Sequence, residues 1–477
     1  MSGATPPRVG VFGIGLAAYW PQFEGLRERL TGYQRGIEEH LETMGAEVVS
    51  AGLVDTPQSA RSAGETLAAA NIELLLVYAA TYATSSQVLP VVQAARAPVV
   101  VLNLQPTRTL DYEQMTTGEW LANCSACCVP EITGALTRAR IEYATVTGTL
   151  LDGDPAWTRL DEWLDAARAV HALRTARIGF LGNTYPGMLD MYSDFTQVHA
   201  QTGAHVEVLE IDALVERVES ADAAEVERKG AEISETFELA DAGVDPIAAE
   251  ITPEVFDWSA RVAVGLDRLV ADFELDALTY YYRGAGDSIA EQVTAGSIVG
   301  NSLLTARGVP AAGEGDLKTN IAMLLLDRLG AGGSYTEFYA LDFDDEFVLM
   351  GHDGPGHLGI AEGRPIARAL KLFHGKSGAG LSIEMKVRLG PVTILCVTQT
   401  ADGRLKLIAA EGESLAGPTF RIGNTNSRLR FASDPTAFFD AWCAEGPTHH
   451  VALGVGSQVA RLRKAAHLLG LELAVVD

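Results

Sequence analysis

Short apolar runs alternate with helix-like segments along the first part of this 477-residue chain, and this alternation restricts its fold more than any other feature. Apolar runs cover residues 8–12, 74–78 and 98–102, and helical periodicity fills the intervals. Parallel strands need crossover connections, which are usually helices that pack on the faces of the sheet. The sequence therefore predicts a doubly wound α/β domain over residues 1–173.

The same alternation resumes after Ala176 and continues through a predicted helix at 253–272 and a strand at 277–281. It predicts a second doubly wound domain over residues 174–333, so that both of the first two domains are Rossmann-like. Beyond residue 335 strands and turns dominate, as in 381–389 and 405–409. Residues 334–477 are therefore predicted to form a β-rich, barrel-like C-terminal domain.

Charge and composition exclude several classes of function. The chain carries 62 acidic and 36 basic residues, a formal net charge of −26, so that a nucleic-acid surface would oppose the field of the whole protein. Its N-terminus lacks a basic region before a long apolar run, and no apolar run has the length of a membrane span. We expect a cytoplasmic protein without nucleic-acid or membrane partners, whose five cysteines are reduced.

A glutamate stands immediately before a predicted helix in the middle of the chain. Asp316 is the expected N-cap of this helix, and its apolar face runs from Leu317 to Leu329. Glu314 therefore lies at the end of a regular element, where a carboxylate can be turned toward a site.

Four further residues carry side chains that bind metals or move protons. Glu337 lies in a β-prone run, His352 follows an apolar run, and His449 and His450 form a late pair. In an extended segment neighbouring side chains point to opposite sides, so that both members of the pair can face one metal only across a turn. Carboxylates and imidazoles together suit Mn²⁺, Fe²⁺, Co²⁺ or Zn²⁺.

Several separated motifs occur in an order that resembles the L-arabinose isomerase family of metal-dependent aldose–ketose isomerases. They are GEGDLKT, the glutamate of SYTEF, GH after an apolar strand, HGKSGAGLSIEM and THH, within residues 311–450. The resemblance implies that Glu314, Glu337, His352 and His450 hold one Mn²⁺ or another divalent first-row ion. It also implies that Glu314 and Glu337 are the acid and the base, in an order that stays open.

The resemblance implies isomerisation of an open-chain sugar, in which a proton passes between C1 and C2 through an enediol. A non-catalytic sugar-binding protein, and a metal-dependent epimerase or lyase on the same scaffold, remain alternatives. The family also forms hexamers in which the first domain of one subunit covers the metal site of another. We therefore expect a homo-oligomer, most simply a hexamer, with Tyr19 or Trp20 near the Glu314–His450 cluster of a different chain.

Seven residues are expected to contact the sugar. Tyr19 and Trp20 follow the first strand, where open α/β sheets bind ligands. The others are chosen by resemblance to the family: Cys124, Cys127, Met188, Tyr282 and His449.

Some of these positions depart from the family. It usually carries Gln and His where Cys124 and Cys127 align, and a Gln-His pair in the first loop, where this chain has LAAY. The substrate is therefore expected to differ from L-arabinose. A structural zinc site at the cysteines needs four ligands, so buried or pocket-lining thiols are the preferred interpretation.

The loop after the first strand matches the dinucleotide fingerprint G-x-G-x-x-A at residues 13–18. Trp20-Pro21 interrupts the helix that should begin there, and the second strand ends without a carboxylate for a ribose. A nucleotide loop, a sugar-binding loop and a plain βα turn are all compatible with the residues, and the resemblance favours the sugar-binding loop.

Overall fold

The computed structural model describes residues 6–284, 288–372 and 378–477. The chain separates into two compact units, which divide between His171 and Ala172. The start of the HGKSGAGLSIEM motif, residues 374–377, lies outside the described residues. The domain limits at 173 and 333 stay predictions. Of the helices in the described ranges, none combines the length and the apolar character that crossing a membrane requires.

In the described part of the chain the first unit contains five strands and six α-helices, the last of which extends a few residues beyond His171. The strands are β1 Arg8–Ile14, β2 Glu47–Val54, β3 Leu74–Tyr78, β4 Val99–Gln105 and β5 Tyr143–Thr149. The helices are α1 Leu26–Thr43, α2 Pro57–Ala69, α3 Leu89–Ala95, α4 Thr117–Leu121, α5 Cys128–Arg138 and α6 Pro155–Thr175.

These strands form one parallel sheet in the order β2-β1-β3-β4-β5. Side chains of β1, β3 and β4 pack against α2, α3 and α5 in a buried apolar cluster, while α1 contacts β1 and β2. Side chains on both faces of these strands are largely apolar, because helices cover both faces of the sheet. The loop after β1 forms a short 3₁₀ helix at Ala17–Tyr19, and α1 begins only at Leu26. A helix N-terminus for a pyrophosphate therefore does not follow the G-x-G-x-x-A motif directly.

The second unit begins with alternating elements in its described residues. The strands are β6 Arg177–Gly182, β7 His205–Leu209, β8 Glu238–Leu239, β9 Ala248–Ala249, β10 Ala277–Tyr281 and β11 Ala311–Ala312. The helices are α7 Phe195–Thr202, α8 Ile211–Glu219, α9 Ala223–Thr236, α10 Pro253–Asp272, α11 Ile289–Ala295, α12 Ile298–Ala306 and α13 Leu317–Arg328.

Strands and turns make up most of the remainder. The strands are β12 Ser334–Asp342, β13 Phe347–His352, β14 Ile366–Leu370, β15 Ser382–Glu384, β16 Gly390–Gln399, β17 Leu405–Leu415, β18 Thr425–Phe431, β19 His450–Val455 and β20 Glu472–Val475. The helices are α14 Pro435–Ala444 and α15 Val459–Leu469.

Two sheets of the second unit carry the elements that bear the candidate ligands. Strands β11-β10-β6-β7 form a parallel sheet in that order. Six antiparallel strands close into a barrel in the order β16-β19-β12-β13-β18-β17, because β17 pairs again with β16. Closure leaves no free barrel edge, and the inward side chains form one buried apolar cluster. The predicted class, parallel α/β domains followed by a β-rich barrel-like domain, is confirmed.

Helix α13 lies between the parallel sheet and the barrel. It contacts β10 and β11 on one side and β16 and β19 on the other. Every residue from Leu317 to Leu326 is therefore buried, including polar side chains. Because α13 begins at Leu317, three residues after Glu314, this packing brings the loop that contains Glu314 to the strands that carry the other candidate ligands.

Candidate active site

The register of the barrel strands places three candidate ligands side by side. Strand β12 lies between β13 and β19, and Glu337 is paired with Gly351 on one side and His450 on the other. His352 is next to Gly351 at the end of β13. Cross-strand neighbours lie within reach of one another, so this register places Glu337 beside His450. The His352 side chain, at the end of β13, lies close to both of them.

Glu314 reaches the same place from a constrained loop. Its φ is 61° and that of Gly315 is 71°, so that two successive residues have left-handed backbone conformations. A Cβ on Gly315 would lie 2.2 Å from the Asn183 carbonyl oxygen, which is why glycine follows the glutamate. A left-handed glutamate costs on the order of 1–3 kcal/mol, and such residues concentrate at functional sites.

The side chains of the cluster approach closely enough to share one ion. The Nε2 atoms of His352 and His450 are 3.2 Å apart. Glu314 Oε1 lies 3.9 Å from Nε2 of His352, and its Oε2 lies 3.7 Å from Nε2 of His450. Donor atoms of Glu337, His352 and His450, and of Glu314, His449 and His450, lie within 4.8 Å of one another in each group.

These distances suit a divalent cation. Metal–ligand bonds of about 2.0–2.2 Å place two donors on one ion no more than about 4.4 Å apart. The distances from Glu314 to the two imidazoles and between the imidazoles fall within that limit. Glu314 Oε2 is buried, and it accepts no hydrogen bond from any residue that the structure describes. A buried carboxylate oxygen without a donor is costly, and a cation would satisfy it.

A buried carboxylate fixes the orientation of His450. Nδ1 of His450 lies 3.1 Å from Asp316 Oδ2 and 2.6 Å from the Tyr335 hydroxyl. An ionised carboxylate can only accept, so the imidazole carries its proton on Nδ1 and its Nε2 lone pair faces the cluster. Asp316 is fully buried and also caps α13 through the Thr319 amide, as its position in the sequence predicts. Its contact with His450 was not predicted.

The second histidine of the pair also faces the site. In an extended segment the two histidines would point to opposite sides, but β19 begins at His450 and His449 precedes it, so the alternation of a strand does not apply. His449 Nδ1 lies 2.6 Å from Asp190 Oδ2, and its amide donates to the same oxygen at 2.9 Å. His449 is thus oriented by Asp190 and lies beside Glu314 and His450.

Burial and charge shift the protonation of these groups. Burial raises the pKa of Glu314, although the His450 and His449 imidazoles act against it. Burial also acts to raise the pKa of Asp316, but hydrogen bonds from His450 and Thr319 outweigh it and lower the pKa. Burial acts to lower the pKa of His450, and the Asp316 carboxylate reverses this and raises it. Asp316 therefore stays ionised and accepts the hydrogen bond from His450. Without a bound ion, Glu314 is protonated more readily than an ordinary glutamate.

The cluster opens into a cavity of about 670 Å³. Met188, Tyr282 and His449, which were predicted to contact substrate, all line it. The sequence did not single out several other lining residues, which are Tyr185, Tyr280, Tyr281, Arg283, Glu291, Thr294, Ala295, Ile298 and Asp353. Hydroxyl, carboxylate and guanidinium groups beside apolar surface are the kind of lining that binds a polyol.

The other predicted contacts belong to the first unit. Trp20 Nε1 donates to Asp55 Oδ2 at 2.8 Å, and the Tyr19 ring packs edge-on against Phe23. Cys124 is buried and Cys127 is exposed, and both are free thiols. Roles for Tyr19, Trp20, Cys124 and Cys127 in substrate binding stay predictions.

The Asp316→Asn variant is expected to bind Mn²⁺ about 10–100-fold more weakly, because the amide no longer secures the Nδ1 proton of His450. The decrease should be measured directly by calorimetric titration with Mn²⁺. Asp434→Asn is the matched control, because Asp434 likewise caps a helix, α14, through two backbone amides but is absent from the cavity wall. Equal Mn²⁺ affinities in the two variants would contradict a positioning role for Asp316.

Comparison with known proteins supports the resemblance that the motifs carry. No protein-family model matches the chain. L-arabinose isomerase of Aeromonas salmonicida is 22% identical over 415 residues, which cover 84% of this chain and 80% of that protein. The L-arabinose isomerase of Acidothermus cellulolyticus is 24% identical over 397 residues, which cover 80% of this chain and 76% of that protein.

Among solved structures, an ABC-transporter solute-binding protein from Actinobacillus succinogenes with bound D-allose is 13% identical. The match covers 61% of this chain and 82% of that one, at a TM-score of 0.17 that supports no argument. The matches to L-arabinose isomerases span most of both chains and recur in several bacteria. This chain is therefore distantly similar in sequence to the L-arabinose isomerases.

Proposed function

We propose that this protein is a metal-dependent aldose–ketose isomerase that acts on an open-chain sugar. The observation that carries the proposal is the grouping of Glu314, Glu337, His352 and His450 at one end of a cavity large enough for a monosaccharide. Binding alone does not require two carboxylates beside two imidazoles. The L-arabinose isomerases among its relatives, although distant, support the same reaction class.

Glu314, Glu337, His352 and His450 would hold the ion, and their carboxylate and imidazole donors suit Mn²⁺ or another divalent first-row metal. When bound, such an ion polarises a carbonyl and stabilises negative charge on neighbouring sugar oxygens. Asp316 keeps the Nε2 lone pair of His450 directed to this position. Two backbone hydrogen bonds hold the loop that contains Glu314. The Tyr185 amide donates to the Glu314 carbonyl, and the Gly315 amide donates to the Tyr280 carbonyl.

Proton transfer is the task of the two glutamates. One carboxylate removes the proton from the carbon next to the sugar carbonyl and returns it to the carbonyl carbon. The other carboxylate exchanges protons with the sugar oxygens. Burial raises the pKa of Glu314 as long as no ion is bound, and the charge of a bound cation would act against this shift. His449, which is held by Asp190, would contact a substrate hydroxyl.

We expect poor turnover of L-arabinose, because Cys124, Cys127 and the first loop lack polar groups that hold this sugar in the family. Mn²⁺-loaded protein should be incubated with a panel of tetroses, pentoses and hexoses, with products followed by NMR. Conversion of at least one aldose to its ketose is the expected result. An L-arabinose kcat/KM above about 10⁴ M⁻¹s⁻¹, in the ordinary range for enzymes, would contradict the substrate prediction.

The same panel distinguishes the other functions. Saturable binding of sugars without any conversion would favour a binding protein, and an epimer or a cleaved product would favour an epimerase or a lyase. Each of these outcomes would overturn the proposed isomerase. The cytoplasmic location, and the hexamer in which Tyr19 or Trp20 approaches another subunit's cluster, remain part of the proposal.

A further inference from the structure

Three cysteines lie together in the turn that leads into α5 of the first unit. The Sγ atoms of Cys124 and Cys127 are 3.1 Å apart. Cys127 is exposed and occupies the N-cap position of the 11-residue helix α5, whereas Cys124 is only 5% exposed. An exposed thiol in contact with a buried one, in a C-x-x-C spacing, is the arrangement of a reactive dithiol.

The third cysteine is engaged elsewhere. Cys128 is fully buried, and its thiol lies 3.3 Å from the carbonyl oxygen of Thr81 and 3.2 Å from that of Ser125. Adjacent cysteines also form a disulfide only with a distorted peptide, so Cys127 and Cys128 are a poor pair. The geometry thus selects Cys124 and Cys127.

We propose that Cys124 and Cys127 are a redox-active pair that forms a reversible intramolecular disulfide by exchange with small-molecule disulfides. This modification site does not depend on the proposed isomerase activity. The Cys127 thiolate attacks one sulfur of the small disulfide, so that a mixed disulfide forms and one thiolate leaves. Cys124 then attacks Cys127 Sγ and displaces the second thiolate. The two protons of the protein thiols end on the two released thiols, so that the protein is oxidised by two electrons and the small disulfide is reduced.

The local structure supports this order of events. A disulfide needs the sulfurs about 2.0 Å apart, and residues 122–127 form turns outside regular helix, where a shift of about 1 Å is tolerated. Burial raises the pKa of Cys124 to about 12, so that Cys124 rarely attacks a disulfide in solution. Contact with Cys127 nevertheless gives it a high effective concentration for the second step.

The test exposes the full-length chain to oxidised glutathione, stops the reaction with acid, blocks free thiols with N-ethylmaleimide and maps each cysteine by fragmentation mass spectrometry. In the native chain Cys124 and Cys127 should lose their thiols together, without retained glutathione, and dithiothreitol should restore both. The Cys124→Ser variant should keep glutathione on Cys127. In Cys127→Ser, Cys124 should react at least about ten-fold more slowly, because its thiol is buried.

Cys443→Ser is the matched control, because Cys443 is also exposed and free but is remote in sequence from the pair. It should leave the oxidation of the pair unchanged. Glutathione retained on Cys127 of the native chain, a disulfide to Cys128, or an unreactive Cys127 would each overturn the proposal. So would stoichiometric Zn²⁺ on the cysteines of the purified protein. The mapping of the native chain decides the question even if a variant fails to fold.

Discussion

The Glu314→Gln variant is expected to lose about 10³-fold or more in kcat/KM on whichever aldose the native chain converts. A general acid–base group typically contributes about 10²–10⁴-fold, and here the same carboxylate is also a proposed ligand. Glutamine has nearly the same shape, so it can occupy the left-handed backbone position of Glu314 without filling the cavity differently. The loss should be measured by initial rates of ketose formation at saturating Mn²⁺.

Glu291→Gln is the control for this experiment. Glu291 is also a partly buried carboxylate in the wall of the same cavity, but it is not one of the clustered metal-ligand candidates. Its variant should retain kcat within about ten-fold of the native chain, since it removes no general acid or base from the proposed reaction. If Glu291→Gln and Glu314→Gln lost activity equally, the loss would reflect the charge of the cavity and not the chemistry assigned to Glu314.

Elements with strong local signals were predicted well from the sequence. The strand at 74–78 and the helix at 253–272 have the observed bounds, because apolar β-prone residues and a Thr252 N-cap with Pro253 define them locally. The predicted strand at 381–389 is wrong in extent, since β15 covers only Ser382–Glu384. Beyond it the Val387 amide donates to the Ser427 side chain and not to a strand neighbour, a tertiary contact that no local pattern reveals.

Helix α13 shows a similar limit. Its sequence predicts one apolar face, yet residues 317–326 are all buried because the helix is covered by both the sheet and the barrel. Buried polar residues such as Lys318 and Asn320 find their partners in backbone carbonyls, those of Tyr192 and of Leu278 and Pro310, respectively. These hydrogen bonds to buried polar side chains exist only in the assembled fold, and the sequence pattern cannot show them.

The site was predictable in its residue types but not in its assembly. Separated motifs pointed to Glu314 and His450 through a family resemblance, whereas residue chemistry alone left the choice between His449 and His450 open. Their roles as ligands stay predictions. The contact between Asp316 and His450 joins residues 134 positions apart, and only the packing of α13 on β19 creates it. A capping aspartate was a sound local prediction for Asp316, and it did not reveal the second task of the same carboxylate.

Removal of divalent metal is expected to abolish isomerase activity, with Mn²⁺ or Co²⁺ restoring it, because the sugar oxygens then lose the positive charge beside Glu314 and Glu337. A second readout does not involve activity. An ion held only by the native state stabilises it by about 2.7 kcal/mol at a concentration of 100 times its Kd. Thermal unfolding of the chelated protein should therefore shift upward by several degrees when Mn²⁺ is added.

His450→Asn should lose this thermal shift, because His450 belongs to both groups of clustered donors. His205→Asn is the matched control: His205 is exposed on β7, and its variant should keep the full shift. Full activity of metal-free protein would contradict metal dependence. If the Mn²⁺-induced thermal shift survived in His450→Asn, the ion would bind away from the cluster. A metal site that loses one of its direct ligands cannot keep its affinity for the ion.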